Sequence, residues 1–179
     1  MGAPDRLVPR ALAHRAPRVG SLYAGLDAAR DPRVLELCRE SVDETRSLYE
    51  GVQGEALADV APYLVGFARG SSLLERLVRE GWGKSFGVFI ESRAPFKAVR
   101  RHLRRFLIVA AETTNKRFYF RYYDPRALRE ILPLLTVRQA DEIFADVIDG
   151  FLAEGEDGEV ASFARPDANA WSSTDAAHS

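Results

Sequence analysis

The sequence predicts an α/β fold: a mixed sheet with flanking helices, in a single domain with flexible termini. Two hydrophobic periods carry that reading, alternation in some segments and three-to-four spacing in others. Helix-start signals fall between the two kinds of segment, at Asp31-Pro32, Ser72 to Glu75, Asp124-Pro125 and Thr136 to Gln139. Strands alternating with helices give two or three packed layers.

Residues 1–18 are rich in Ala, Pro and Arg and lack apolar periodicity, which predicts a flexible arm. The domain is expected over residues 19–164, and 165–179, small and polar apart from Trp171, read as a second flexible tail. Val19 to Ala28 predicts a strand with Leu22, Ala24 and Leu26 on one face, and Asp31-Pro32 opens a helix to about Glu40. Ala61 to Phe67 is a short buried strand in which Pro62 is tolerated only at the start. Leu73, Leu74, Leu77 and Val78 form the inner face of a helix stopped by Gly81. Lys84 to Glu91 reads as a strand whose Phe86, Val88 and Ile90 share a face. Phe96, Val99, Leu103 and Phe106 recur at helical spacing, leaving the basic residues between them on the outer face. Leu107 to Glu112 and Lys116 to Tyr123 are expected to pair around a turn at Asn115. Two helices then run from Asp124-Pro125 to about Leu132 and from Thr136 through Phe144. A hairpin of Val147 to Leu152 with Glu159 to Phe163 turns at Asp157-Gly158.

The chain of 179 residues is 46% hydrophobic and 28% charged, an ordinary globular composition that needs no disulfide to build a core. Its single cysteine, Cys38, lies in an apolar helical stretch and reads as a buried structural thiol. No apolar run approaches the ~18 residues of a membrane span, and the first residues lack the core of a secretory signal. A cytoplasmic protein is expected, with no membrane partner.

The net charge of −1 is unevenly placed. Six basic residues and no acid lie between Arg93 and Arg105, and eight acids without Lys or Arg between Asp141 and Glu159. The face made by Arg100, Arg101, Arg104 and Arg105 suits solvent or internal pairing, a protein partner, or a phosphate backbone with Tyr119, Tyr122 and Tyr123 to stack bases. The acidic C-terminal third disfavours a polyanion, so no nucleic acid is expected.

Catalytic chemistry is thinly supplied. His14, His102 and His178 are too scattered for metal-ligand spacing or a nucleophile–His–acid order, so neither a metal nor a cofactor is expected. GWGKSFG from Gly81 resembles a phosphate-cradling loop, but lacks the four-residue gap before Gly-Lys-Ser and precedes a strand. A helix stop and a tight turn explain its glycines, and Trp82 is either packed or a surface anchor. A small hydrolase using Asp27 and Asp124 as paired carboxylates stays open at this point.

FRYYDPRAL, from Phe120 to Leu128, joins an aromatic strand to Arg121, Tyr122 and Tyr123 and then to Asp124, Pro125 and Arg126 at a helix start. It resembles the signature of the effector adaptors, or effector chaperones, of bacterial type VI secretion. LYAGLDAARDPRVLEL from Leu22, SLYEG from Ser47, VAPYLVGF from Val60, LLERLVREGWGKSFGVFIES from Leu73 and HLRRFL from His102 agree in order, so the resemblance spans Leu22 to Phe144. It implies a non-catalytic scaffold that binds a toxin effector and helps load it on a VgrG-type or PAAR-type spike protein. The residues best placed to meet such partners are Arg100, Arg101, Arg104, Arg105, Trp82 and Tyr123. Many relatives carry a longer C-terminal region linked to effector choice, whereas only Val147 to Ser179 remains here.

Overall fold

A computed structural model describes residues 21–68, 70–110 and 117–165. The central strand β1 (Ser21–Asp27) forms where the alternation begins, with Leu22, Ala24 and Leu26 in one apolar cluster and Tyr23 in another on the opposite face. Around it the chain runs α1 (Pro32–Arg39), β2 (Glu44–Ser47), α2 (Gly51–Ala56), β3 (Pro62–Gly66), α3 (Leu73–Gly81) and β4 (Gly87–Ser92). It continues through α4 (Phe96–Arg104), β5 (Ile108–Ala110), β6 (Arg117–Tyr119), α5 (Pro125–Ile131), α6 (Val137–Phe144), β7 (Gly150–Glu154) and β8 (Val160–Ala164).

Six strands form one sheet in the order β2-β3-β1-β4-β7-β8, and β5 pairs with β6 in a separate ribbon. Every one of these pairings is antiparallel, so the sheet with flanking helices is present but is not mixed. The connections between neighbouring strands return each one reversed. Side-chain alternation then divides the core in two. Leu64, Val88, Ile90, Phe151 and Ala153 join Tyr23 beneath α4, α5 and α6, while Val65, Phe89 and Leu152 join Leu22 beneath α1 and α3. The fold has three layers.

Local signals explain most element ends. Asp31 accepts from the Arg33 N–H at 2.8 Å and caps α1, Asp124 does the same for α5 at 3.0 Å, and Thr136 and Gln139 form a reciprocal capping box on α6. Ser72 and Glu75 form no such box. Ser72 is already helical, and the Leu73 N–H donates to Ser71 Oγ instead. Pro62 opens β3, as a residue without an N–H must.

Three further expectations are corrected. Strand β4 begins at Gly87, because Ser85 adopts a positive φ of 59° and breaks the extended run; Phe86 therefore packs opposite Val88 and Ile90. Strand β6 ends at Tyr119, and Tyr122 and Tyr123 are both buried in one cluster, so the aromatic alternation does not extend to them. The Asn115 turn lies outside the described residues, as do the arm and the tail beyond Arg165. Strand β7 begins three residues later and ends two later than the hydrophobic pattern suggests, and β8 is shifted by one, since Val147 and Ile148 still bond back to Phe144 as α6 unwinds.

Strand β2 and helix α2 have no sequence signal. The ETRS segment is polar and lies at the sheet edge, held by tertiary clamps. At one end Asp43 accepts from Ser41, Ser71 and the Ala68 N–H; at the other the Ser47 carbonyl accepts from Arg100. Among the described residues no helix is long and apolar enough to cross a membrane.

Gly87 shows how closely the central strands meet, because a Cβ there would stand 2.2 Å from the Gly25 carbonyl oxygen. Gly87→Ala is expected to destabilise the fold by about 2 kcal/mol or more, the scale of forced overpacking. Urea denaturation checks it, and an unchanged midpoint would show that β1 and β4 can separate without penalty.

Candidate functional site at one end of the central strands

Strand β1 ends at Asp27, only 2% exposed, and the chain turns at once through a bond from the Arg30 N–H to the Asp27 carbonyl. A charge buried so deeply requires partners. The Ala29 N–H donates to Oδ1 at 3.1 Å, and Arg121 Nη2 donates to Oδ2 at 2.5 Å. Arg121 is half exposed and lies 5.9 Å above the Tyr123 ring. Three residues beyond Arg121, the turn into α5 buries Asp124, whose carboxylate accepts from the Arg126 N–H, from its Nε at 3.0 Å and from its Nη2 at 2.7 Å. Burial raises the Asp124 pKa, but the bonds from the Arg126 side chain and backbone outweigh it and hold the carboxyl below its ordinary range.

Strands β4 and β7 bring a third carboxylate to the same end. Glu154 closes β7 and is buried, accepting from the Gly83 N–H at 2.6 Å, the Ser85 N–H at 3.0 Å and Ser85 Oγ at 2.9 Å. Gly83 has φ of +82° and Ser85 is also left-handed, so the turn aims the N–H groups of these two residues at one carboxylate, while that of Lys84 between them donates to the Gly81 carbonyl. The glycine segment therefore does cradle an anion, and that anion is the protein's own. Arg129 ties the Glu154 carbonyl to α5, and Arg126 lies within the field of Asp27 and Glu154 as well as Asp124. Asp27, Ser85, Glu154, Asp124 and Arg121 thus form a ring around the strand ends. The acids lie inside it; Arg30, Lys84, Arg121 and Arg126 are exposed outside.

The expected binding residues separate into two groups. Arg100 donates to the Ser47 carbonyl at 2.9 and 2.6 Å and to Glu50 at 2.8 Å, while Arg104 donates to the Leu48 carbonyl at 2.9 Å and pairs with Glu50 at 2.6 Å. They staple α4 to the β2–α2 connection and are not free, so of the alternatives open for this face internal pairing holds for these two. Arg101 and Arg105 remain exposed. His102, on the same helix, is buried with Nε2 2.6 Å from the Ile143 carbonyl, and burial lowers its pKa.

Trp82 is half-buried against the α1–α3 core and donates its indole N–H to the Gly158 carbonyl at 2.7 Å. Tyr123 is 5% exposed and hydrogen-bonded to Tyr49, so it is a core residue and not a surface anchor. Tyr122 is fully buried and its hydroxyl has no hydrogen-bond partner among the described residues. Cys38 is buried, and that burial pushes its thiol up to about 11.

Asp27 and Asp124 are each held by their own arginine, and a lowered Asp124 pKa is the reverse of what a general acid needs. Among the described residues no cluster of His, Cys, Asp or Glu is arranged to hold a metal. A separate concavity of about 480 Å³ is lined by Arg93, Asp146, Ile148, Asp149 and Arg165. Its arginines are paired, Arg93 with Asp149 and Arg165 with Asp141, both at 2.8 Å.

Sequence reasoning identified Arg121, Asp124 and Arg126 but missed Glu154, Ser85, Arg30, Lys84 and Arg129. The glycines around Trp82 were the available signal for the cradle, although nothing local named its occupant.

A family model for a domain of unknown function, DUF4123, matches residues 22–142, from β1 into α6. The chain belongs to that family. The match ends before β7 and β8, so Glu154 lies beyond it. No curated protein and no solved structure matches the chain significantly.

Two expectations follow. Asp124→Ala should cost about 1 kcal/mol or somewhat more, the loss of a cap with its ion pair. Because the folded carboxyl titrates low, that difference is complete above about pH 4 and shrinks as the pH falls from there through the folded value. Chemical denaturation at several pH values measures it, and a gap that widens in acid would contradict the assignment. For α4, replacing Arg100 and Arg104 by Met should lower stability by about 1 to 2 kcal/mol through the lost carbonyl bonds, whereas the same change at Arg101 and Arg105 should lie within about 0.5 kcal/mol. Equal melting of the two variants would remove the distinction between stapled and free arginines.

Proposed function

We propose that the chain is a non-catalytic adaptor of type VI secretion, which holds a toxin effector in the cytoplasm of the producing cell and helps load it on a VgrG-type or PAAR-type spike protein. Two findings support this reading. The ordered motifs, from Leu22 to Leu128, fall in the stretch matched by the family model, and the signature residues Arg121, Tyr122, Tyr123, Asp124 and Pro125 build the fold. The observation that carries the reading is the state of the ring. Asp27, Asp124 and Glu154 each accept bonds from neighbouring protein groups and are thereby committed to holding strands and helix together. A scaffold uses such groups to present a fixed surface, whereas general acid–base catalysis needs one poised to exchange a proton.

The nucleic-acid reading loses support from α4, where two of its four arginines are bound to carbonyls and to Glu50. Lys97, Arg101 and Arg105 stay exposed there, three cations against the longer track that a phosphate backbone requires.

The test is affinity capture with the tagged full-length chain from its native cell, beside export of toxins from a strain lacking it. Capture of a toxin together with a spike protein, and loss of that toxin from the medium in the deletion strain, is the expected outcome. Normal export in the deletion strain, or a random DNA duplex bound more tightly than any captured protein, would sink the proposal.

A further inference from the structure

The geometry points to a docking site for a short acidic segment of a protein partner on the rim formed by Arg30, Lys84, Arg121 and Arg126. It rests on the adaptor reading and names the chemistry that the adaptor recognises. Arg30 and Lys84 face solvent, and neither has a carboxylate partner among the described residues. They are neighbours, since Arg30 Nε donates to the Lys84 carbonyl at 3.1 Å. Across the end of β1 stands Arg121, which commits one nitrogen to Asp27 and leaves most of its guanidinium donors unspent. Arg126 completes the rim, with Nε and Nη2 on Asp124 and Nη1 open.

The acids that pair with this rim are buried beneath it. Asp27, Asp124 and Glu154 are at most 8% exposed, so a partner arriving from solvent meets the cations first. Arg121 and Arg126 are also held in place by Asp27 and Asp124, which lowers the entropy lost when a carboxylate is captured. Arg121 lies over the Tyr123 ring, a second restraint on its position.

The partner's length is limited by what borders the rim. The indole of Trp82, two residues before Lys84, holds the β7–β8 turn against this side, and that turn carries exposed Glu156, Asp157 and Glu159. A long uniform polyanion would run into these acids. A short acidic stretch satisfies the rim and stops before them.

The experiment uses the full-length chain and two labelled synthetic peptides, one alternating Glu and Leu and the other with Gln in place of Glu, followed by fluorescence anisotropy. The expected result is binding of the Glu peptide alone, weakening with salt. Arg30→Glu with Lys84→Glu should weaken it roughly tenfold or more, the neutral pair Arg30→Gln with Lys84→Gln by less, and Arg101→Glu with Arg105→Glu hardly at all. Circular dichroism confirms that each variant is folded. Failure of the wild type to bind, equal losses at the rim and on α4, or a single-stranded oligonucleotide bound as tightly as the peptide would each overturn the site. Capture of secretion partners that survives Arg30→Glu with Lys84→Glu but is lost with Arg101→Glu and Arg105→Glu also overturns it, leaving the adaptor reading intact. Peptide binding at the rim by a wild type that captures no secretion component keeps the docking site and removes the adaptor reading instead.

Discussion

The pairing of Asp27 with Arg121 is the contact on which the arrangement of the layers depends. Asp27 closes the central strand, where the antiparallel ladders to β3 and β4 both end and the backbone must turn. A carboxylate at 2% exposure is tolerated there because Arg121 reaches it from the segment leading into α5, ninety-four residues later in the chain. Removing one partner of such a pair leaves a buried charge unmatched, which is far more harmful than never having built the pair. The half-exposed position of Arg121 moderates that penalty, and it leaves the guanidinium within reach of other molecules.

From this contact the rest of the end assembles in sequence. Arg121 places Tyr122 and Tyr123 in the core beside Leu128, and the turn after them sets Asp124 at the start of α5. Helix α5 then carries Arg129 to the Glu154 carbonyl, which joins the helical layer to strand β7. The Glu154 carboxylate, in turn, fills the left-handed turn of Gly83 and Ser85 that feeds β4. Asp27 and Glu154 therefore each join elements distant in sequence, Asp124 fixes the start of α5 locally, and the exposed cations are what the assembled end presents to solvent.

The basic helix illustrates why charge counts along a chain are weak guides to surface chemistry. Its arginines are nearly adjacent in sequence, yet the hundred-degree step between helical residues sends Arg100 and Arg104 to one side and Arg101 and Arg105 to another. The first pair meets the carbonyls of Ser47 and Leu48, which would otherwise be unpaired where the edge strand gives way to α2. The free charge of this chain is consequently less concentrated on α4 than composition suggests, and more evident at the end of the sheet.

What the sequence by itself determined are the features whose causes lie within a few residues. The caps at Asp31, Asp124 and Thr136, the entry of β3 at Pro62, the inward faces of α3 and α4 and the alternating face of β1 all follow from hydrogen bonds and periodicities of that range. Only the tertiary structure decided that ETRS becomes a strand, that Phe86 turns away from Val88, that Tyr123 is buried, and that the glycine turn is filled by Glu154. Those outcomes depend on partners fifty or more residues away, as with Arg100 on Ser47 and Glu154 on Ser85, or on left-handed backbone at a residue such as Ser85 that has no compositional mark. A side chain's type states which bonds it can form, but the choice among them is made when the layers close and water is excluded from one end of the sheet.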